Sequence, residues 1–254
     1  MLQVRDLDCA RAGRTIVQGL TFDLRGGEIM AVLGNNGAGK STLLATLSGE
    51  LAPQRGELRL LGRPLGGWPA RERAMHMAVL PQSSTLAFAF TAQEVVAMGR
   101  LPHASGAARD RAIIDEVMAA ADVKHLAQRS YLTLSGGERQ RVHLARVMAQ
   151  VWEGGADSCL LLDEPTAALD LAHQQMILNQ ARTMADRGAA VLVILHDLNL
   201  AARYADRILL LDGGRMATLG TPWEVLRAER IEQVFGVAVQ VVQHPLQDCP
   251  LIIS

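Results

Sequence analysis

Apolar and polar residues partly alternate over positions 2–7 and 15–24, and Ala12-Gly13-Arg14 separates the two runs. Alternation with a period of two marks a strand with one buried face, so the two runs are expected to form an antiparallel pair. Gly26-Gly27 then turns the chain into Glu28-Ile29-Met30-Ala31-Val32-Leu33. This stretch is apolar after its first residue and too short for a helix, which predicts a buried strand. A glycine-rich stretch follows, then a helical pattern over 41–48. Runs at 58–61 and 76–80 predict further strands, bracketing loops rich in Gly and Pro.

Between 91 and 151 the spacing lengthens to that of a helix. Val95, Val96 and Met98, then Ile113, Ile114, Val117 and Met118, then Val142, Leu144, Ala145 and Val147 carry the pattern, and no strand candidate interrupts it. A helical insertion inside an α/β domain is expected. Strands resume at 158–162, 190–195 and 207–211, separated by helices over 171–186 and 198–204. Strands alternating with helices imply a mainly parallel sheet. Asp212-Gly213-Gly214-Arg215 is a hairpin-type turn. Residues 222–235 read as an amphipathic helix and 237–242 as a last strand.

Composition narrows the function classes. The 254 residues suit one large domain or two small ones. With 25 basic against 26 acidic residues, the chain lacks the positive surplus of a dedicated nucleic-acid binder. Cys9, Cys159 and Cys249 are widely spaced with no C-x-x-C pair, which excludes a zinc ribbon or disulfide scaffold and suits a reducing compartment. The most apolar runs, 159–162 and 189–195, fall far short of the roughly 20 residues of a membrane-spanning helix. The charged N-terminus has no signal-peptide core. A cytosolic protein is expected.

Three motifs carry chemistry. Gly34-Asn35-Asn36-Gly37-Ala38-Gly39-Lys40-Ser41-Thr42 matches G-x-x-x-x-G-K-[ST] between a predicted strand and a predicted helix. Its glycines let successive N–H groups curl round phosphate oxygens, and the helix N-terminus adds positive potential. Lys40 would pair with β- and γ-phosphates and Ser41 would ligate Mg²⁺, so the chain is expected to bind a nucleoside triphosphate. Cys159-Leu160-Leu161-Leu162-Asp163-Glu164 is an apolar strand ending in two carboxylates that face the same crevice. Asp163 is placed to hold Mg²⁺ through its water shell, and Glu164 to polarise the water attacking the γ-phosphate. In Leu134-Ser135-Gly136-Gly137-Glu138, Ser135 and Glu138 form a capping box, and the glycines leave bare N–H groups at a helix N-terminus. That is a second anion site, and one nucleotide does not need two in one chain. A head-to-tail dimer, each chain closing this segment over its partner's γ-phosphate, is the economical arrangement.

This ordered set, with Gln82, Leu-Leu-Asp-Glu-Pro, Ala168-Leu169-Asp170 and His196, resembles the ATP-binding subunits of ABC transporters over essentially the whole chain. The resemblance implies a single ABC ATPase domain over 1–254: an α/β P-loop NTPase core of RecA type at 1–82 and 152–254, with an N-terminal antiparallel β subdomain and a helical subdomain at about 83–151. It implies that Gln82 is a hinge residue sensing Mg²⁺ and water, that Asp170 reaches across a dimer interface, and that His196 bonds the γ-phosphate. Cofactors would be ATP and Mg²⁺. Partners would be a second ATPase subunit, two transmembrane permease subunits and, indirectly, a periplasmic substrate-binding protein, with no nucleic acid. The place would be the cytoplasmic side of the inner membrane.

Leu86-Ala87-Phe88-Ala89-Phe90-Thr91 and Glu94-Val95-Val96-Ala97-Met98-Gly99-Arg100 resemble the iron-chelate, haem and cobalamin importers, and the stretches 152–157 and 220–245 are most similar to haem-import ATPases. Uptake of haem is implied; siderophore or cobalamin import, and more distantly iron–sulfur assembly, are the alternatives. The stretch 86–90 is either a groove for a permease helix or local core. Where such subunits carry an aromatic residue that stacks on adenine, this chain has Cys9-Ala10-Arg11. Cys9 offers only weak contact and Arg11 a guanidinium plane, so weak base discrimination is expected.

Overall fold

The structure, a computed structural model, describes residues 1–82, 86–167 and 169–254; Ala168 and the start of the expected helical subdomain at 83 lie outside them. In chain order the elements are β1 (Leu2–Arg11), β2 (Arg14–Leu24), β3 (Ile29–Gly34), α1 (Lys40–Leu47), β4 (Arg55–Leu60), β5 (Arg63–Pro64), α2 (Ala70–His76) and β6 (Met77–Leu80). Then come α3 (Ala92–Ala97), α4 (Ala107–Ala120), α5 (Gly136–Val151), β7 (Cys159–Asp163), α6 (Leu171–Asp186), β8 (Ala190–Ile194) and α7 (Leu198–Tyr204). The chain ends with β9 (Arg207–Asp212), β10 (Arg215–Gly220), α8 (Pro222–Val225), α9 (Ala228–Phe235), β11 (Gln240–Gln243) and β12 (Pro250–Ile253).

The main sheet has the order β10-β9-β3-β8-β7-β6, parallel except for β10. Its central strands are apolar up to their carboxyl ends because both faces are covered. Ile29, Ala31 and Leu33 point to one face with Leu160, Leu162, Val191 and Val193, and pack against α3–α9. Met30 and Val32 point to the other with Leu161, Leu192 and Ile194, where β1, β2, β4 and α1 cover them. Burying each such side chain contributes about 1.5–3 kcal/mol, so the sheet is the rigid part of the molecule. The covering strands form a second, antiparallel sheet in the order β2-β1-β4-β5.

Between 91 and 151 the described residues are helical or in turns, apart from one bridge between Thr91 and Ser130. Several hydrogen bonds fix α5 to its surroundings, and two show how. Gln150 Nε2 donates to the carbonyls of Ala74 and Met77 at 2.8 and 2.9 Å, and the Tyr131 hydroxyl meets His143 Nε2 at 2.8 Å. The first ties α5 to β6, and the second ties the turn preceding α5 to its body.

Four expectations need correction. The expected strand at 76–80 starts one residue later, because His76 ends α2, a helix with no fully buried residue and therefore no apolar period to read. The strand expected at 58–61 runs Arg55–Leu60, and Leu61 leaves it with φ 51°. The helix expected over 222–235 is two, since Val225 and Leu226 are both buried in sequence and the chain turns extended at Arg227. The last strand lies at Gln240–Gln243, with a partner, β12, that the pattern did not reveal.

Candidate nucleotide site

Parallel strands deliver the candidate residues to one edge. Gly34 ends β3, Asp163 ends β7, His196 follows β8 by two residues, and Gln82 follows β6 by two. Because β3, β8, β7 and β6 are consecutive neighbours in the sheet, all four lie beside one another at the carboxyl edge.

The phosphate-binding loop is shaped by glycine. Gly34 has φ 150°, and a Cβ there would sit 2.4 Å from the Leu211 carbonyl oxygen. Gly39 has φ 98°, and its Cβ would meet Val17 and Ile16. Side chains at these positions would displace backbone or neighbouring side chains. Lys40, the first residue of α1, is buried and donates from Nζ to the carbonyls of Gly34 and Asn35 at 2.7 and 3.0 Å. Burial pulls its pKa below the usual lysine value, and the carboxylates of Glu164 and Asp163 oppose that shift. Ile16, Asn36, Gly37, Gly39, Lys40, Ser41, Thr42 and Glu164 line a cavity of about 280 Å³ over the loop.

Glu164 carries the strained backbone of the site, at φ 48°. A non-glycine residue in this region costs about 1–3 kcal/mol and persists only where its surroundings enforce it. The turn aims its carboxylate at two donors. Gln82 Nε2 donates to Oε2 at 2.7 Å, and His196 Nε2 donates to Oε1 at 2.5 Å. The neighbouring Asp163 is held differently. Burial, then the charge of Glu164, raise its pKa to about 6, against the pull of Lys40 and His196. Its Oδ1 is buried without a hydrogen-bond partner. A buried acceptor of that kind, next in sequence to the cavity-lining Glu164, suits a hard divalent cation such as Mg²⁺, which takes one or two protein ligands and completes its shell with phosphate and water. Among the described residues, no group of three or more His, Cys, Asp or Glu could hold a metal by itself.

Ser135 caps α5. Its Oγ accepts from the Glu138 N–H at 3.3 Å, and the Ser135 N–H donates to Glu138 Oε2 at 2.7 Å. These bonds hold the Glu138 carboxyl below its usual pKa. The Ser135 side chain also bonds the Glu138 carboxyl, so its hydroxyl belongs to the cap. A Cβ on Gly136 would meet nothing within 4 Å, whereas one on Gly137 would approach Leu169 to 3.1 Å. None of Ser135, Gly136, Gly137 or Glu138 lines the cavity over the phosphate loop. Asp170 has a local task that the sequence did not announce: it caps α6, accepting from the His173 N–H at 2.9 Å and from His173 Nδ1 at 2.7 Å.

The expectation for Cys9 is corrected. Its side chain is wholly buried, its thiol hydrogen-bonded to Thr46 of α1, so it touches no nucleotide. Arg11 is exposed and does not line the cavity. The residue that does is Ile16, which the β9–β10 turn holds in place: Gln18 N–H donates to the Gly214 carbonyl at 2.8 Å, and Gly214 passes so close that its Cβ would lie 2.1 Å from the Ile16 carbonyl oxygen. Ile16 is an unremarkable member of a strand, and only the fold singles it out. An aliphatic wall grips any flat base and reads no edge of it. GTP is therefore expected to be hydrolysed with a kcat/KM within about tenfold of that for ATP, and a much larger preference for ATP would show that the base is read elsewhere.

Of residues 86–90, two belong to the local core. Leu86 and Phe90 pack at the margin of the main core, while Phe88 is 72% exposed.

A family model described as ABC transporter matches residues 17–167. The chain is 58% identical over 254 residues, the whole of both proteins, to the Hemin import ATP-binding protein HmuV of Pseudomonas entomophila, and equally so to that of Pseudomonas aeruginosa. Among solved structures it is similar to a chain assigned to a metal-chelate type ABC transporter in an inward-facing conformation, with a TM-score of 0.81 and 30% identity over 99% of this chain and 96% of that one.

Proposed function

The chain belongs to the ABC transporter family, and from that premise we propose that it is the ATP-hydrolysing subunit of a haem importer. The observation that carries the hydrolytic part is the convergence of Glu164, Gln82 and His196 beside the phosphate-loop cavity. The cargo rests on the likeness to hemin-import proteins over their full length.

Residues 34–42 bind the triphosphate of ATP, with Lys40 turning from the loop carbonyls to phosphate oxygens as its nearest acceptors. Asp163 and Ser41, with Gln82 beside them, hold Mg²⁺, which when bound neutralises phosphate charge. Glu164 accepts a proton from the attacking water, and its carboxylate is oriented for that by Gln82 and His196. His196 is 49% exposed, so it can swing from Glu164 to the γ-phosphate. Ser135, Gly136 and Gly137 act on the nucleotide of a second copy of the chain, since none of them lines the cavity of their own chain. Leu169, packed on Gly137, links that helix to Asp170 at the same interface.

Among the described residues no helix is long and apolar enough to cross a membrane. Two permease subunits carry the cargo, a homodimer of this chain docks on them from the cytoplasmic side of the inner membrane, and a periplasmic binding protein delivers the cargo; the likeness to importer subunits supports this arrangement. Exposed Phe88 and Leu101 offer apolar surface for the permease. The test is reconstitution of the complete transporter in vesicles. ATP-dependent accumulation of haem, and of neither a ferric siderophore nor cobalamin, is expected; preferential uptake of either of those would overturn the cargo.

A further inference from the structure

The C-terminal segment from Ala228 onward makes two contacts that no role above uses, one to the phosphate loop and one to the start of α7. Asn35, within the phosphate loop, donates from Nδ2 to the carbonyl of Val234 near the end of α9. Asn199, in the first turn of α7, is bonded in both senses to one residue of β12. Its Nδ2 donates to the Ile252 carbonyl at 3.0 Å, and its Oδ1 accepts the Ile252 N–H at 2.8 Å. A side-chain amide used this way takes the place of a neighbouring strand, since it satisfies both main-chain groups of Ile252. Asn199 lies three residues after His196. Between them Asp197 accepts from the N–H groups of Asn199 and Leu200 at 2.8 and 2.9 Å, which locks the start of α7.

His196 therefore lies just before a short helix whose first turn is held by β12. The hairpin β11–β12 is itself anchored, with Ile252 in the main core and Val239 and Val241 packed against it. We infer that the C-terminal hairpin braces the nucleotide site, and that Asn199 is a positioning residue that sets His196 through the start of α7. The inference rests on the role given to His196 above. An exposed imidazole that must meet Glu164 in one state and phosphate in another gains from a rigid mount, because small misplacements of a catalytic group are costly.

Removing the hairpin would strip apolar groups from the core, so point variants in the full-length chain within the assembled transporter are the test. Asn199→Ala is expected to lower kcat for ATP about five- to tenfold with KM held within about twofold. Asn199→Asp keeps the acceptor for the Ile252 N–H and loses only the donor, so a smaller fall, about two- to threefold, is expected; it also serves if the alanine variant folds poorly. In the isolated full-length chain, the imidazole ¹⁵N signals of His196, assigned by their loss in His196→Ala, should shift in both variants while the other histidines keep theirs. Unchanged kcat together with unchanged His196 signals would overturn the brace, as would a fall confined to KM. If His196→Ala alone hydrolysed ATP at the parental rate, the reading of the site would fall, and the imidazole signals would still decide whether Asn199 positions that residue.

Discussion

Replacing Glu164 with glutamine is expected to lower ATP turnover by the assembled transporter about a thousandfold while leaving ATP bound. The side chain is 14% exposed and fixed between Gln82 and His196, so an isosteric amide occupies the same volume. Two things change. The amide takes no proton from water at neutral pH, and its NH₂ must face either the Gln82 amide or the His196 N–H, each a donor in the present arrangement. The affinity for nucleotide comes from the phosphate loop, which the substitution does not touch. Phosphate release and binding of a fluorescent ATP analogue separate the two effects. Turnover at the wild-type rate would remove Glu164 from the chemistry, and loss of ATP binding would mean that the carboxylate supports the loop. The strained backbone adds a second readout. Glu164→Gly relaxes φ 48° and is expected to stabilise the chain modestly while remaining inactive.

What was legible in the sequence was chemistry written in consecutive residues. A phosphate loop needs glycines at fixed offsets, a capping box needs Ser135 and Glu138 three apart, and a buried strand ending in Asp163 and Glu164 must change character abruptly at its tip. Each is a local requirement, and the structure places each as the spacing implied. Gln82 and His196 are single residues without a motif of their own. They meet Glu164 only because β6, β7 and β8 are neighbours in the sheet, and that order is a property of the whole chain. The resemblance supplied them; the periodicity did not. Long-range amide bonds, such as those of Asn35 and Asn199, leave no trace in the pattern. The surface helix α2 and the edge strand β10 escaped for a related reason, since no residue of either is fully buried, whereas β12 is apolar throughout and carries no polar alternation to mark it as a strand. Cys9 was misplaced because a position along β1 does not tell the face on which the side chain lies, and this one faces the core.

The composite site predicts that one substitution will raise or preserve the stability of the isolated chain and abolish its work. Gly136 opens α5, and a Cβ there meets nothing within 4 Å, so aspartate fits without displacing a neighbour. A carboxylate in the first turn of a helix is favoured by the exposed N–H groups by about 0.3–1 kcal/mol, and loss of glycine also reduces the freedom of the unfolded chain. Thermal unfolding of Gly136→Asp should therefore occur at or slightly above the parental temperature. The nucleotide bound by the same chain is untouched, because Gly136 does not line its cavity, and ATP affinity should stay within about threefold. In the proposed dimer the same carboxylate would face the partner's γ-phosphate, and two anions at close range in a low dielectric repel strongly. Turnover is expected to fall at least about a hundredfold. With Glu164→Gln present to block hydrolysis, the parent chain should form a dimer on adding ATP and Mg²⁺ in light scattering, and the Gly136→Asp chain should remain a monomer with ATP bound. A doubly substituted chain that dimerised as readily as the parent would place the bare N–H groups of α5 outside the partner's site, and the second anion site would then need another ligand.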